Sequence, residues 1–139
     1  MISRSSAGFS LIEMLVVLAI IALAATALPM LGAGLPGVRL RAEADRIASV
    51  LRDLRDAAIR RDATTQLTID PAARTYTATG TAPRGLPASV TRIEMQNPGG
   101  CCIRFFADGT STGGTVVLRG IRRSAVIRVD WLTGAVHGG

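Results

Sequence analysis

From Phe9 to Leu28 the chain reads FSLIEMLVVLAIIALAATAL, twenty residues with one charge, Glu13. A helix of that length spans about 30 Å, the thickness of a bilayer's hydrocarbon core. In lipid every backbone polar group has to be bonded within its own segment, so a helix is the expected form. Pro29 to Gly37 then carries two prolines and three glycines, which weaken a helix and predict a kinked or melted joint. Such a joint is expected to let the following domain reorient. Over Val38 to Arg61 the apolar positions Leu40, Ala44, Ile47, Leu51, Leu54 and Ala58 recur at intervals of three or four. That spacing predicts an amphipathic helix packed on the protein's own sheet.

From Thr64 the period falls to two. Thr65–Ile69 and Thr75–Thr79 alternate around a turn at Asp70–Ala73, which predicts a hairpin. Gly80–Pro87 reads as a loop. Further strands are expected at Val90–Met95, Cys102–Phe106, Thr115–Arg119 and Val126–Val129, with a last short one beginning at Ala135–Val136. The fold class is therefore α+β: a long N-terminal hydrophobic then amphipathic helix packed on a C-terminal antiparallel β-sheet domain. The expected divisions are a leader over 1–8, an apolar helix over 9–28, a joint over 29–37, the amphipathic helix over 38–63 and the β domain over 64–139.

Glu13 is the anomaly in the apolar run. A charge in a membrane helix costs roughly 2.5–3.5 kcal/mol at the helix centre, and marks a functional position by default. Glu13 lies five residues into the run, nearer the interface, so its cost is lower, yet a partner is still expected. The polar leader Met1–Gly8 (MISRSSAG) ends on a small residue. A cut after Gly8 would give Phe9 a new α-ammonium one helical turn from Glu13. In a filament, Glu13 of one subunit could neutralise the Phe9 ammonium of its neighbour, an attraction much stronger in low dielectric than in water.

Gly8-Phe9-Ser10-Leu11-Ile12-Glu13-Met14-Leu15-Val16-Val17 resembles the N-terminal signature of type IV pilin-like proteins, including the pseudopilins of type II secretion. The resemblance implies cleavage between Gly8 and Phe9 by a prepilin peptidase on the cytoplasmic face, and N-methylation of Phe9. It also implies a single-pass inner-membrane protein with a cytoplasmic N-terminus and a periplasmic C-terminal domain. An ordinary secretory signal is the plainer alternative, with small-x-small sites at Ala22-Leu23-Ala24 and Ala25-Thr26-Ala27. The apolar run is too long for it, and holds an acid. Nearer the C-terminus, Ile103–Gly114 and Val129–Gly134 resemble the strand-loop element and the C-terminal segment of the minor pseudopilin H family. Ala107 stands where relatives often have Pro. The function implied is a structural subunit of the pseudopilus near its tip, aiding export across the outer membrane. Its implied partners are the major shaft pseudopilin, the other minor tip pseudopilins and inner-membrane lipid.

Charge and composition add one rival. The net charge is +6 and pI about 11.2, with sixteen basic residues, all Arg. Arg104, Arg119, Arg122, Arg123 and Arg128 gather late in the chain, and arginine suits phosphate. The alternative is thus a minor type IV pilin that contacts nucleic acid through Arg119, Arg122, Arg123 and Arg128 during DNA uptake. Few aromatic residues accompany them, so a stacking platform for single strands is poorly supported. No catalytic constellation is visible. One histidine, His137, supplies neither a zinc site nor a triad, so no metal, cofactor or enzymatic activity is expected. Cys101 and Cys102 are adjacent. A strained disulfide in an oxidising periplasm and two small apolar residues entering a strand both fit, the second better.

Overall fold

A computed structural model describes residues 10–32, 36–98 and 100–138, with side chains over 10–25 and from Gly37 onward. The chain divides into two compact units, 1–34 and 35–139.

The first unit contains α1 (Leu11–Gly32). Ser10 precedes it, and Ser10-x-x-Glu13 is the spacing of an N-terminal capping box, which places an acid at the positive end of the helix dipole. The Glu13 and Met14 N–H groups both donate to the Ser10 carbonyl, at 3.0 and 3.2 Å. Every side chain from Leu11 to Ala25 is exposed. A helix that is apolar on nearly all sides calls for burial in an apolar environment. Among the described residues no helix is long and apolar enough to cross a membrane. The expected span starts at Phe9, outside those residues, and the side chains past Ala25 also lie outside them. The backbone stays helical past Leu28 to Gly32 and is helical again from Pro36; residues 33–35 of the expected joint lie outside the described residues.

The second unit opens with α2 (Pro36–Arg61). Pro36 takes the first helical position, where its missing N–H would have had no partner. Leu40, Ala44, Ile47, Leu51, Leu54 and Ala58, the residues of the sequence stripe, are all buried, together with Ala48. The helix ends in a Schellman motif: Asp62 has φ +48°, and the Ala63 N–H donates to the Ala58 carbonyl at 3.2 Å. The Thr65 hydroxyl then donates to the Leu54 carbonyl at 2.8 Å, fixing the first strand to the helix it follows.

Eight strands follow: β1 (Thr65–Asp70), β2 (Thr75–Ala78), β3 (Arg84–Gly85), β4 (Arg92–Gln96), β5 (Cys102–Phe105), β6 (Gly114–Arg119), β7 (Ser124–Val129) and β8 (Val136–Gly138). They form two four-stranded sheets, ordered β3-β2-β1-β5 and β4-β6-β7-β8, antiparallel throughout. The single sheet expected from sequence is therefore two. The cause is β5, which pairs with β1 (Thr65 opposite Phe105, Thr68 opposite Cys102) and leaves β4 to pair with β6. The segment expected as a plain loop at 80–87 contains β3, a two-residue edge strand on β2. Leu67, Ile103 and Phe105 from one sheet and Ile93, Val116, Leu118 and Ile127 from the other join the α2 stripe in one core.

Candidate functional site

Of the sites expected at the N-terminus, Gly8 and Phe9 lie outside the described residues. Glu13 is exposed in the first turn of α1. A carboxylate in the first turn suits the positive end of the helix dipole.

The arginines expected as a nucleic-acid surface divide: Arg119, Arg122 and Arg123 stand at the β6–β7 turn, and Arg128 does not. Arg119 Nε lies 3.5 Å from Glu94 Oε1, which also takes Arg92 Nε at 3.0 Å. One carboxylate is thus shared by two guanidiniums, and Arg119 is only partly compensated. Arg128 is paired across the sheet with His137. Arg122 and Arg123 belong to the β6–β7 turn, at the other end of β7 and on the order of 15–20 Å away at strand rise. Arg104 projects from the other sheet, opposite Gln66. Only Arg122 and Arg123 remain together and without an ion pair among the described residues.

The two C-terminal segments singled out by resemblance do come together. Asp108 Oδ1 accepts from the Thr110 N–H at 2.9 Å and the Thr110 hydroxyl at 2.7 Å. Asp130 Oδ1 accepts from the Leu132 and Thr133 N–H groups and the Thr133 hydroxyl, at 2.8 to 3.0 Å. These bonds, Thr110 first at Asp108 and Thr133 first at Asp130, hold both carboxyls below the usual aspartate range. The loops are stitched to each other: the Ser111 N–H donates to the Trp131 carbonyl at 2.8 Å, and the Ser111 hydroxyl to the Asp130 carbonyl at 2.9 Å.

Arg55 of α2 fastens both. Its Nε–H is shared between the Gly109 carbonyl at 3.2 Å and the Thr133 carbonyl at 3.1 Å. Gly134, at φ +62°, lies so close that a Cβ there would run into the Gly109 carbonyl oxygen. Arg55 is not among the residues that the sequence singles out. The available signal was its position four residues after Leu51 and one after Leu54, at the edge of the buried stripe. Glu43 is not singled out either, although Leu40, Glu43 and Ile47 share the stripe's own spacing. It is buried; the Tyr76 hydroxyl donates to its Oε1 at 3.3 Å, and Arg46 Nη1 lies 3.7 Å from Oε2. Burial first, and the Glu43 carboxylate second, push the Tyr76 phenol above its ordinary value.

Cys101 and Cys102 are free thiols with sulfurs 3.3 Å apart, one exposed and one buried at the start of β5. Burial raises the Cys102 thiol pKa. Among the described residues no group of three or more His, Cys, Asp or Glu side chains could hold a metal ion.

What the geometry offers is a braced set of loops on a small domain, an exposed Trp131 and Leu132 on those loops, and an apolar helix in front of it. Comparison with known proteins accounts for each part. The family model for the prokaryotic N-terminal methylation motif matches residues 3–29, and that for type II transport protein GspH matches residues 43–134. The type II secretion system protein H of Xanthomonas campestris pv. campestris is 38% identical over 148 residues, covering 99% of this chain and 86% of that protein. Two solved structures share the fold. The minor pseudopilin EPSH from the type II secretion system of Vibrio cholerae has a TM-score of 0.60 at 13% identity, over 72% of this chain and 92% of that one. The type IV minor pilin FimU of Pseudomonas aeruginosa has a TM-score of 0.55 at 16% identity, over 72% and 87%. With a pilin-like α+β fold, a methylation motif in front and a near full-length relative, the chain belongs to the type II transport protein GspH family, the H-type minor pseudopilins of type II secretion.

Proposed function

We propose that this protein works as a low-abundance structural subunit near the tip of a type II secretion pseudopilus and catalyses no reaction. The observation that carries the reading is the 38% identity to a type II secretion system protein H across 99% of the chain, with the methylation motif matched at its start. A prepilin peptidase removes residues 1–8 after Gly8, and Phe9 is N-methylated. The helix that follows holds the subunit in the inner membrane, N-terminus cytoplasmic and β domain periplasmic. Glu13 then pairs with the Phe9 amine of a neighbouring major or minor pseudopilin. The pairing explains why an acid is kept in an apolar helix: lipid disfavours it alone, and assembly removes the penalty. DNA uptake is not favoured, since Arg128 lies at the other end of β7 from Arg122 and Arg123, and Arg119 shares Glu94 with Arg92.

The test is Glu13→Ala in the native host. Membrane fractionation is expected to show unchanged insertion, and cross-linking to the pseudopilus a fall of about tenfold or more, the loss of one low-dielectric ion pair. Undiminished incorporation would refute the pairing.

A further inference from the structure

A second surface lies where the chain enters the β domain. The start of α2 and the β6–β7 turn enclose a cleft of about 500 Å³ whose lining includes Gly37, Val38, Leu40, Ile121, Arg122 and Arg123. The two elements are in contact: a Cβ on Gly37 would sit 3.0 Å from Arg123 Cδ, and one on Gly120 would sit 3.4 Å from Leu40 Cδ2. The rim is apolar and unusually exposed, with Ile121 at 84% and Val38 at 60%. Arg122 and Arg123 line it, and Arg39 and Arg41 follow Val38 on α2; all four are exposed and none is in an ion pair among the described residues. Of the carboxylates on the neighbouring elements, Glu43 is engaged with Tyr76 and Arg46 and Glu94 with Arg92 and Arg119, while Asp45, one turn after Arg41, is exposed.

A protruding aliphatic tip ringed by uncompensated arginines is the composition of an interfacial contact with anionic lipid. Ile121 and Val38 would enter the headgroup–acyl boundary, and the guanidiniums would take phosphate oxygens, bidentately where geometry allows. Nucleic acid fits the arginines but gives a bare isoleucine nothing to bury against. Position in the chain agrees, because α2 begins at Pro36, and α1, the apolar helix, ends at Gly32. We propose that Ile121, Arg122 and Arg123, with Val38, Arg39 and Arg41, form a docking surface for the anionic headgroups of the membrane from which the subunit is later extracted. This rests on the membrane anchoring proposed above. The surface would hold the β domain against the bilayer before assembly, and release on entry to the filament would cost the contact.

The experiment uses the full chain in proteoliposomes. Ile121→Trp in a Trp131→Phe background places one indole at the tip, since Trp131 is the sole tryptophan. Brominated phosphatidylglycerol and brominated phosphatidylcholine serve as quenchers, and vesicle flotation reports anchoring separately. Strong quenching is expected in phosphatidylglycerol vesicles. It should fall several-fold in phosphatidylcholine, at high salt, or on adding Arg122→Ala/Arg123→Ala, since each arginine near an anionic surface is worth about fivefold in binding. Flotation with an unquenched indole in phosphatidylglycerol overturns the docking surface while leaving the anchor intact. Quenching equal in both lipids overturns the role of the arginines. A spectral response to duplex DNA but not to lipid would assign the surface to nucleic acid instead. Failure to float would remove the anchoring reading itself, and this proposal with it.

Discussion

Arg55 and Glu43 carry the most information per residue. Each departs from the plain amphipathic pattern of α2, and each has a specific partner. Arg55 holds two loop carbonyls through one Nε–H. Arg55→Ala leaves both carbonyls unbound, and is expected to lower stability by about 1–3 kcal/mol, read as a drop in melting temperature of the detergent-solubilised protein. Arg55→Lys should recover little, because an ammonium on a flexible stem lacks the fixed Nε–H. Tyr76 gives a pH signature. Its folded-state pKa is raised above the unfolded value of 10.0, so the unfolded chain ionises first as pH rises. The stability tied to the neutral phenol is complete below pH 10 and is lost above it, through the raised folded value. Chemical denaturation at pH 9 and at pH 11 should show a fall for the native sequence and a much smaller one for Tyr76→Phe. Equal slopes would mean that Tyr76 does not titrate against Glu43.

Among the elements, α2 was the most legible in the sequence. Its six stripe positions are all buried, because a 3.6-residue period is enforced by the backbone whatever the helix packs against. The strands were legible in existence and mostly in face: β1 and β2 alternate as their residues do, whereas β5 buries both Cys102 and Ile103 before alternating. Their partners were not. Alternation says which side of a strand is wet, and says nothing of which strand lies beside it; the β5–β1 pairing joins residues about forty apart and divides the sheet in two. β3 escaped notice because two residues carry no period. The loops 107–110 and 130–134 were recognisable as turns by Asp and Gly, yet their meeting over Arg55 depends on tertiary contact alone. Gly134 is where that meeting is tightest. Gly134→Ala would force a Cβ into the Gly109 carbonyl at a positive φ, and is expected to cost more than about 2 kcal/mol, measurable by thermal unfolding. An unchanged melting temperature would show that the loops do not pack against each other as described.

At the scale of the whole molecule, two units of opposite character share one chain. The β domain buries its own apolar stripe and is complete as a folded body. The helix in front exposes apolar side chains along its described length, and its single acid was the earliest sign in the sequence of what it is for. The length of the apolar run points to a membrane, but no period or composition could have supplied the peptidase and neighbouring subunits that give Glu13 its proposed role, since these lie outside the chain. The central claim is that a fresh amine at Phe9 meets Glu13 during assembly, and it depends on where the mature protein starts. The deciding measurement is the intact mass and N-terminal fragmentation of the protein isolated from its native host's membranes. The account predicts a chain that lacks residues 1–8 and begins with N-methylated Phe9. A mature chain beginning at Met1, or anywhere beyond Phe9, would contradict it.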